Sequence, residues 1–323
     1  MAVPRGLRPV IMFLALGVGA GARAQSTLEE LKSTDLERYA PEFQTLCARL
    51  EEPRAPAPQD DGAVHLRHET DPAVHQWILF QAKGIWSVAE LDARLPAGWS
   101  DAIESLDQAP LTHGARMEDE ETDMAHFALC GGHPYCNHFW DPTKGDNAGL
   151  FLLRQWDSAY IHAQKLWDEQ VLPLYRAGKK DEAYYWLGRV AHILGDLSVP
   201  AHTHRDIHPL WESFEKYMVE REQGAYNFKR WTGSGAPVEA ASLHDLFLSM
   251  ARLANEFDSA HVAGSLPGNY VGHNGAWEKQ GGSFGHYSVS YAECRRQADV
   301  LMPAVYRHMA GLYKLFWKQT HPS

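Results

Sequence analysis

One stretch constrains this chain more than any other. Residues 183–202 read Ala-Tyr-Tyr-Trp-Leu-Gly-Arg-Val-Ala-His-Ile-Leu-Gly-Asp-Leu-Ser-Val-Pro-Ala-His. Rich in Ala, Tyr, Trp, Leu, Val and Ile, it reads as a helix made for a protein core. His192 and Asp196 are four apart and share one face of that helix. Pro200 predicts that the helix ends just before it, because proline lacks the amide and clashes inside a helix. The chain then turns and can bring His202 back to the same region. A buried aspartate costs several kcal/mol unless something pairs with it. A divalent cation is the simplest partner, and imidazole nitrogen with carboxylate oxygen suits zinc. The alternative for a lone His192 is a core histidine with satisfied hydrogen bonds. Asp196, His202, His208 and Glu212 weigh against it.

A second cluster lies upstream. Residues 114–123 read Gly-Ala-Arg-Met-Glu-Asp-Glu-Glu-Thr-Asp, and residues 137–142 read Asn-His-Phe-Trp-Asp-Pro. The acid run reads equally as a solvated face or as part of a site. Asp141-Pro142 marks a turn. His138 is the more telling residue, since Phe139 and Trp140 could fix its ring and dry its surroundings. A zinc-activated water also gains from a carboxylate that orients or deprotonates it, and Asp119 is the candidate for that role.

These motifs resemble those of the zinc-dependent phospholipase C and S1/P1 nuclease superfamily. The helix pattern Ala-x-x-x-Leu-Gly-x-x-x-His-x-Leu-Gly-Asp-x-x-x-Pro-x-His runs from Ala183 to His202. His-Phe-aromatic-Asp-Pro runs from His138 to Pro142, and Gly-x-x-x-Glu-Asp from Gly114 to Asp119. His-x-Trp-Ile-x-x-x-Ala runs from His75 to Ala82, and the last helix, from about Arg295 to Trp317, shares the family's aromatic-rich look. The resemblance implies a cluster of up to three zinc ions. One ion would be held by Asp119, His138, His192 and Asp196. Asp196 would bridge to a second ion, held also by His75. The third would be held by His202, His208 and Glu212, the last two lying in a His-x-x-aromatic-Glu-x-Phe pattern through Trp211 and Phe214. Glu215, one helical turn further on, is a weaker rival for that position, and the favoured reading of it is a solvated glutamate beside Lys216. Two features depart from the family. Its bacterial phospholipases begin with a tryptophan whose amine and carbonyl chelate the second zinc, and no tryptophan lies in the segment before His75. His65 and His68 are either substitutes or ordinary surface histidines. The gap from His202 to His208 is also short, which alters the expected substrate cleft.

No Gly-rich phosphate loop, Gly-x-Ser-x-Gly elbow or Cys-x-x-Cys zinc signature is present. The net charge of −11 argues against tight binding to long polyanions, whose affinity comes largely from Lys and Arg. Residues 1–24 read as a secretory signal, with Arg5 and Arg8 before an apolar run from Val10 to Val18 and a small-residue cleavage site at Ala22-Arg23-Ala24. That run is too short to span a membrane, so a secreted or periplasmic location is expected. Four cysteines, Cys47, Cys130, Cys136 and Cys294, make disulfides possible in an exported chain. Cys130 and Cys136 could bridge beside His138, remain buried thiols, or supply a ligand through Cys136.

Residues 25–62 read as a helical extension ending in a Pro-rich linker, and residues 63–323 as one zinc-dependent phospholipase C-like domain. Helices are expected over 72–96, near 99–106, from Ala148 to Ala177, from about Pro209, and over Leu243–Phe257. Residues 219–242 should be loop-rich, and the Gly-rich segment 264–287 a long loop. With no alternating strand pattern and no repeat, the fold expected is all-α, a single multi-helix domain. The function expected is zinc-dependent phospholipase C cleavage of glycerophospholipids at a membrane surface, with Asp119 catalytic. The His208-x-x-x-Glu212 pair favours this branch over the nuclease branch, where the last carboxylate is usually aspartate. The alternatives are a single-strand nuclease or 3′-nucleotidase of the same fold, and an inactive zinc-binding interaction protein. Stacking aromatics such as Tyr135, Phe139 or Trp140 would favour the nuclease.

Overall fold

The computed structural model describes residues 71–100, 102–120, 137–149, 151–152, 154–205, 213–257 and 291–322. The expected signal, extension and linker, the segment 264–287, and Cys47, Cys130 and Cys136 lie outside them. The fold is all-α, as the patterning predicts. In chain order the helices are α1 (Asp71–Ile85), α2 (Ala89–Asp92), α3 (Ile103–Leu106), α4 (Pro110–Glu120), α5 (Ala159–Leu166), α6 (Leu172–Arg176), α7 (Lys180–Asp196), α8 (Pro200–His204), α9 (Ser213–Val219), α10 (Leu243–Asn255) and α11 (Tyr291–Thr320).

Helix α7 is the axis of the domain. Every residue from Leu187 to Asp196 is buried, as are Ala183 and Tyr184. It packs against α4 above all, and also against α1, α5, α6 and α11. The core runs from these contacts out to Met250 on α10 and to Tyr306, Tyr313 and Phe316 on α11. A large side chain buried in this way contributes about 1.5–3 kcal/mol of transfer free energy. On α10 the buried residues Leu243, Leu246, Phe247, Met250, Ala251 and Ala254 fall on one helical stripe, and Ser242 caps the first turn by accepting from the Asp245 amide.

Two expectations about elements are corrected. The helix anticipated from Ala148 begins only at Ala159. Ser158 takes extended backbone and its hydroxyl accepts from the Ile161 amide, which sets the helix start there. From Ala159 the helix runs through a π-helical turn, Trp167–Val171, into α6. Two short antiparallel ladders also occur, Phe151–Leu152 with Arg154–Gln155 and Arg221–Glu222 with Ala225–Tyr226. Both are small hairpins attached to a helical body. As the sequence predicts, α7 stops at Asp196, and Pro200 opens α8, where its missing amide costs no hydrogen bond. No helix among the described residues is long and apolar enough to cross a membrane.

Candidate metal centre

The site is built on an unusually close contact between α4 and α7. A Cβ added to Gly114 would stand 1.8 Å from the carbonyl oxygen of Tyr185, and one added to Gly188 would stand 2.1 Å from that of Leu111. Only glycine lets these backbones touch. The two helices then step together by fours. Leu111 lies against Gly188 and Ala115 against His192; Gly114 lies against Tyr185 and Glu118 against Arg189. This register carries Asp119, at the last turn of α4, to the end of α7.

There, His192 Nε2 stands 3.3 Å from Asp119 Oδ1 and 3.3 Å from Asp196 Oδ2. From α1, His75 Nε2 stands 3.3 Å from Asp196 Oδ1, and its ring stacks on His192 at 3.8 Å. From the loop after residue 136, His138 Nδ1 lies 2.7 Å from Asp196 Oδ2 and 3.8 Å from Asp119 Oδ1. That loop is tied to α8 by a reciprocal pair of bonds: His202 Nδ1–H donates to the His138 carbonyl at 3.0 Å, and the Trp140 amide donates to the His202 carbonyl at 3.1 Å. Asp141 secures it further, accepting from the Thr143 amide and hydroxyl and pairing with Lys144.

Charge in this cluster alternates. Burial works against every charged form here, yet the neighbours outweigh it. The charges of His192, His202 and His138 hold Asp196 well below the usual carboxylate range. Asp119 is lowered in the same way, chiefly by His192. Burial opposes protonation of His138 and His192, but Asp196 and Glu118 push His138 up to about 9, and Asp119 with Asp196 raise His192 well above its ordinary value. His75 goes the other way, lowered by burial and by His192.

The donor set fits a zinc ion. His75 Nδ1, His192 Nε2 and Asp196 Oδ2 are buried atoms without a hydrogen bond of good geometry. The ligand atoms of His75, His192 and Asp196, and those of Asp119, His138 and His192, form two groups, each within 4.8 Å. With bonds of about 2.0–2.1 Å, two ligands on one tetrahedral zinc stand roughly 3.3 Å apart. That matches the 3.3 Å separations around His192 and Asp196. Asp119 keeps 24% of its side chain exposed, against 1% for His138 and His192 and 5% for Asp196, so it faces the opening.

Five of the expected residues, His75, Asp119, His138, His192 and Asp196, are therefore brought together. His202 lies at the edge: its Nδ1 is 4.0 Å from Asp196 Oδ2. His208, Glu212, His65 and His68 lie outside the described residues. Glu215 is not the solvated residue expected. Its Oε1 sits 3.2 Å from His202 Nε2, because α9 turns this face inward alongside buried Phe214 and Met218. The aromatics after His138 also differ from expectation. Phe139 stacks on His202 at 4.9 Å, and buried Trp140 donates to the Gly145 carbonyl, so neither presents a face for base stacking. A trio of buried Glu118 and Arg189 with half-buried His162 leaves little mark in the sequence. Its trace there is the shared four-residue step, Gly114 to Glu118 and Tyr185 to Arg189.

The fold is similar to that of an alpha-toxin from an avian strain of Clostridium perfringens, with a TM-score of 0.50 and 15% identity over 79% of this chain. The matched region covers 66% of that toxin, so this chain spans just under two thirds of its length. An alpha toxin from Clostridium absonum aligns with 16% identity over the same shares of the two chains, at a TM-score of 0.48. Comparison with models of protein families gives no match. Nor does any curated protein match. The likeness is one of fold.

Proposed function

We propose that this protein is a zinc-dependent phosphodiester hydrolase of the phospholipase C type, exported by residues 1–24 and acting on glycerophospholipids at a membrane surface. The observation that carries this reading is the convergence of buried imidazole and carboxylate atoms from His75, Asp119, His138, His192 and Asp196 at ligand spacing, in a fold shared with a clostridial alpha-toxin. His202, with His208 and Glu212 or with Glu215 in place of Glu212, would complete a third position. Bound zinc would supply a Lewis acid and lower the pKa of water to about 7. Asp119, the most open carboxylate of the group, would orient the attacking water and take its proton. Water would add to phosphorus as the phosphorus–glycerol oxygen bond breaks, and the proton taken by Asp119 would pass to the departing oxygen, releasing diacylglycerol and the phosphorylated head group. His192 is suited to hold its position through this step, since its Nδ1–H is committed to the Ala115 carbonyl at 2.7 Å.

The nuclease alternative loses two of its three stacking candidates with the burial of Phe139 and Trp140, and Tyr135 lies outside the described residues. Zinc content of the purified mature protein, followed by parallel assays on glycerophospholipid vesicles and single-stranded DNA, tests the proposal. Bound zinc with release of diacylglycerol and a phosphorylated head group is expected. Cleavage of DNA alone would replace phospholipase with nuclease. Bound zinc with no turnover on either would favour the inactive binding protein, and absence of zinc would end the metal reading.

A further inference from the structure

Two histidines of the site are held through Nδ1 by a backbone carbonyl. His192 Nδ1 is fixed by the Ala115 carbonyl at 2.7 Å, and His202 Nδ1 by the His138 carbonyl at 3.0 Å. His138 is different. Its Nδ1 turns into the cluster, and its Nε2 faces Oε1 of Glu118 at 3.5 Å, an ion-pair distance longer than a good hydrogen bond. Glu118 itself keeps only 2% of its side chain exposed. A carboxylate so buried costs several kcal/mol unless it is paired. Two cations or donors hold it: Arg189 from α7, and His162 from α5, whose Nε2–H donates to Oε1 at 2.7 Å. Arg189 in turn lies over the Trp186 ring at 4.8 Å.

We propose that Glu118 is a positioning residue for the metal centre: gripped by Arg189 and His162, its carboxylate anchors the outer edge of His138 and aims Nδ1 at the metal position. The inference rests on the zinc reading above. An ion pair that only joined α4 to α7 would need Glu118 and Arg189 alone. Here a third group, His162, holds the carboxylate at the oxygen that also faces His138. A carboxylate behind a ligating imidazole fixes its tautomer and raises its donor strength, and losing such a partner typically costs 10–100-fold in metal affinity.

The test compares the mature protein with Glu118→Gln and with the double variant Glu118→Gln/Arg189→Gln, which leaves no buried arginine without its carboxylate. Folding is read by far-UV circular dichroism, zinc affinity by chelator competition, and ligand geometry by the visible spectrum after loading with cobalt(II). The expected result is a folded variant, single or double, whose zinc affinity falls about 10–100-fold and whose cobalt spectrum changes. Zinc affinity within about twofold of the parent, with an unchanged cobalt spectrum, would overturn the proposal, and Glu118 would be only a partner for Arg189. Failure of both variants to fold would also overturn it, since the carboxylate would then serve the helix contact. A parent protein that binds no zinc would instead defeat the metal reading itself, so the two failures are distinguishable.

Discussion

The Nδ1–H of His192 donates to the carbonyl of Ala115 at 2.7 Å, across the close contact between α4 and α7. The carbonyl can only accept, so the bond fixes the tautomer of the ring and leaves Nε2 to face Asp119 and Asp196. It exists because Gly114 and Gly188 let α4 and α7 approach until backbone meets backbone. The geometry of the candidate centre is thus set by two residues with no side chain.

Gly114→Ala should therefore be severe. Its Cβ would fall 1.8 Å from the Tyr185 carbonyl oxygen, a rigid atom that cannot move aside. The helices must part, at a cost towards or above the upper end of the usual overpacking range of about 1–3 kcal/mol. Urea unfolding should show a clear loss in midpoint, with zinc content falling alongside. An unchanged midpoint would contradict the register described here.

Gly195→Ala should act more locally. The added Cβ would lie 2.7 Å from His75 Nδ1, which is the end of a side chain and can swing away. Stability should change by less than about 1.5 kcal/mol. The His75 ring, however, would leave its 3.8 Å stack on His192. Elemental analysis should then find less zinc bound than in the parent, with the fold intact. Full zinc occupancy would argue that His75 takes no part.

Much of this arrangement was legible in one dimension. The stop before Pro200, the shared face of His192 and Asp196 and the return of His202 follow from helical period and from the chemistry of proline. What escaped depended on how elements face one another. Glu118 sits in a run of acids that looks like any solvated face; only the α4–α7 contact decides that it points inward while Asp119 looks to the opening. Beside Lys216 in sequence, Glu215 reads as solvated, but the packing of α9 turns it to His202. Phe139 and Trp140 could have been stacking platforms or core, and sequence does not distinguish the two. The overlong helix from Ala148 missed the cap at Ser158, a local signal hidden in an apolar and aromatic pattern.

Asp119→Asn separates catalysis from metal holding. The change keeps shape and one oxygen but removes the charge that would take a proton from water. Turnover on glycerophospholipid vesicles should fall about 10²–10⁴-fold, the range for loss of a positioned acid–base group. Zinc should be largely retained, because His138, His192 and Asp196 remain. Undiminished turnover would remove Asp119 from the chemistry, and complete loss of zinc would show it to be mainly a ligand.

Metal uptake should release protons, and the metal-free protein should show the reverse side of the same linkage. When no ion is bound, Asp196 and Glu118 raise His138 to about 9, and Asp119 with Asp196 raise His192 well above its ordinary value of 6.5, so the cluster favours the protonated rings. A raised folded pKa contributes stability that is complete below the unfolded value and is lost as pH climbs through the folded one. The metal-free protein should therefore lose stability from about pH 6.5 to about 9 as His138 discharges beside Asp196, with His192 acting in the same direction beside Asp119 and Asp196. At the acid end the lowered Asp196 and Asp119 act oppositely: their contribution is present above the ordinary aspartate value of 3.8 and is lost as pH falls through their folded values. Zinc needs neutral imidazole, so binding must expel the histidine protons, and apparent affinity should rise with pH over the same interval. Calorimetric titration of zinc in buffers of different ionisation enthalpy would count the protons directly. Release at neutral pH is expected, growing smaller towards pH 9, whereas binding without proton release would show that the rings are already neutral.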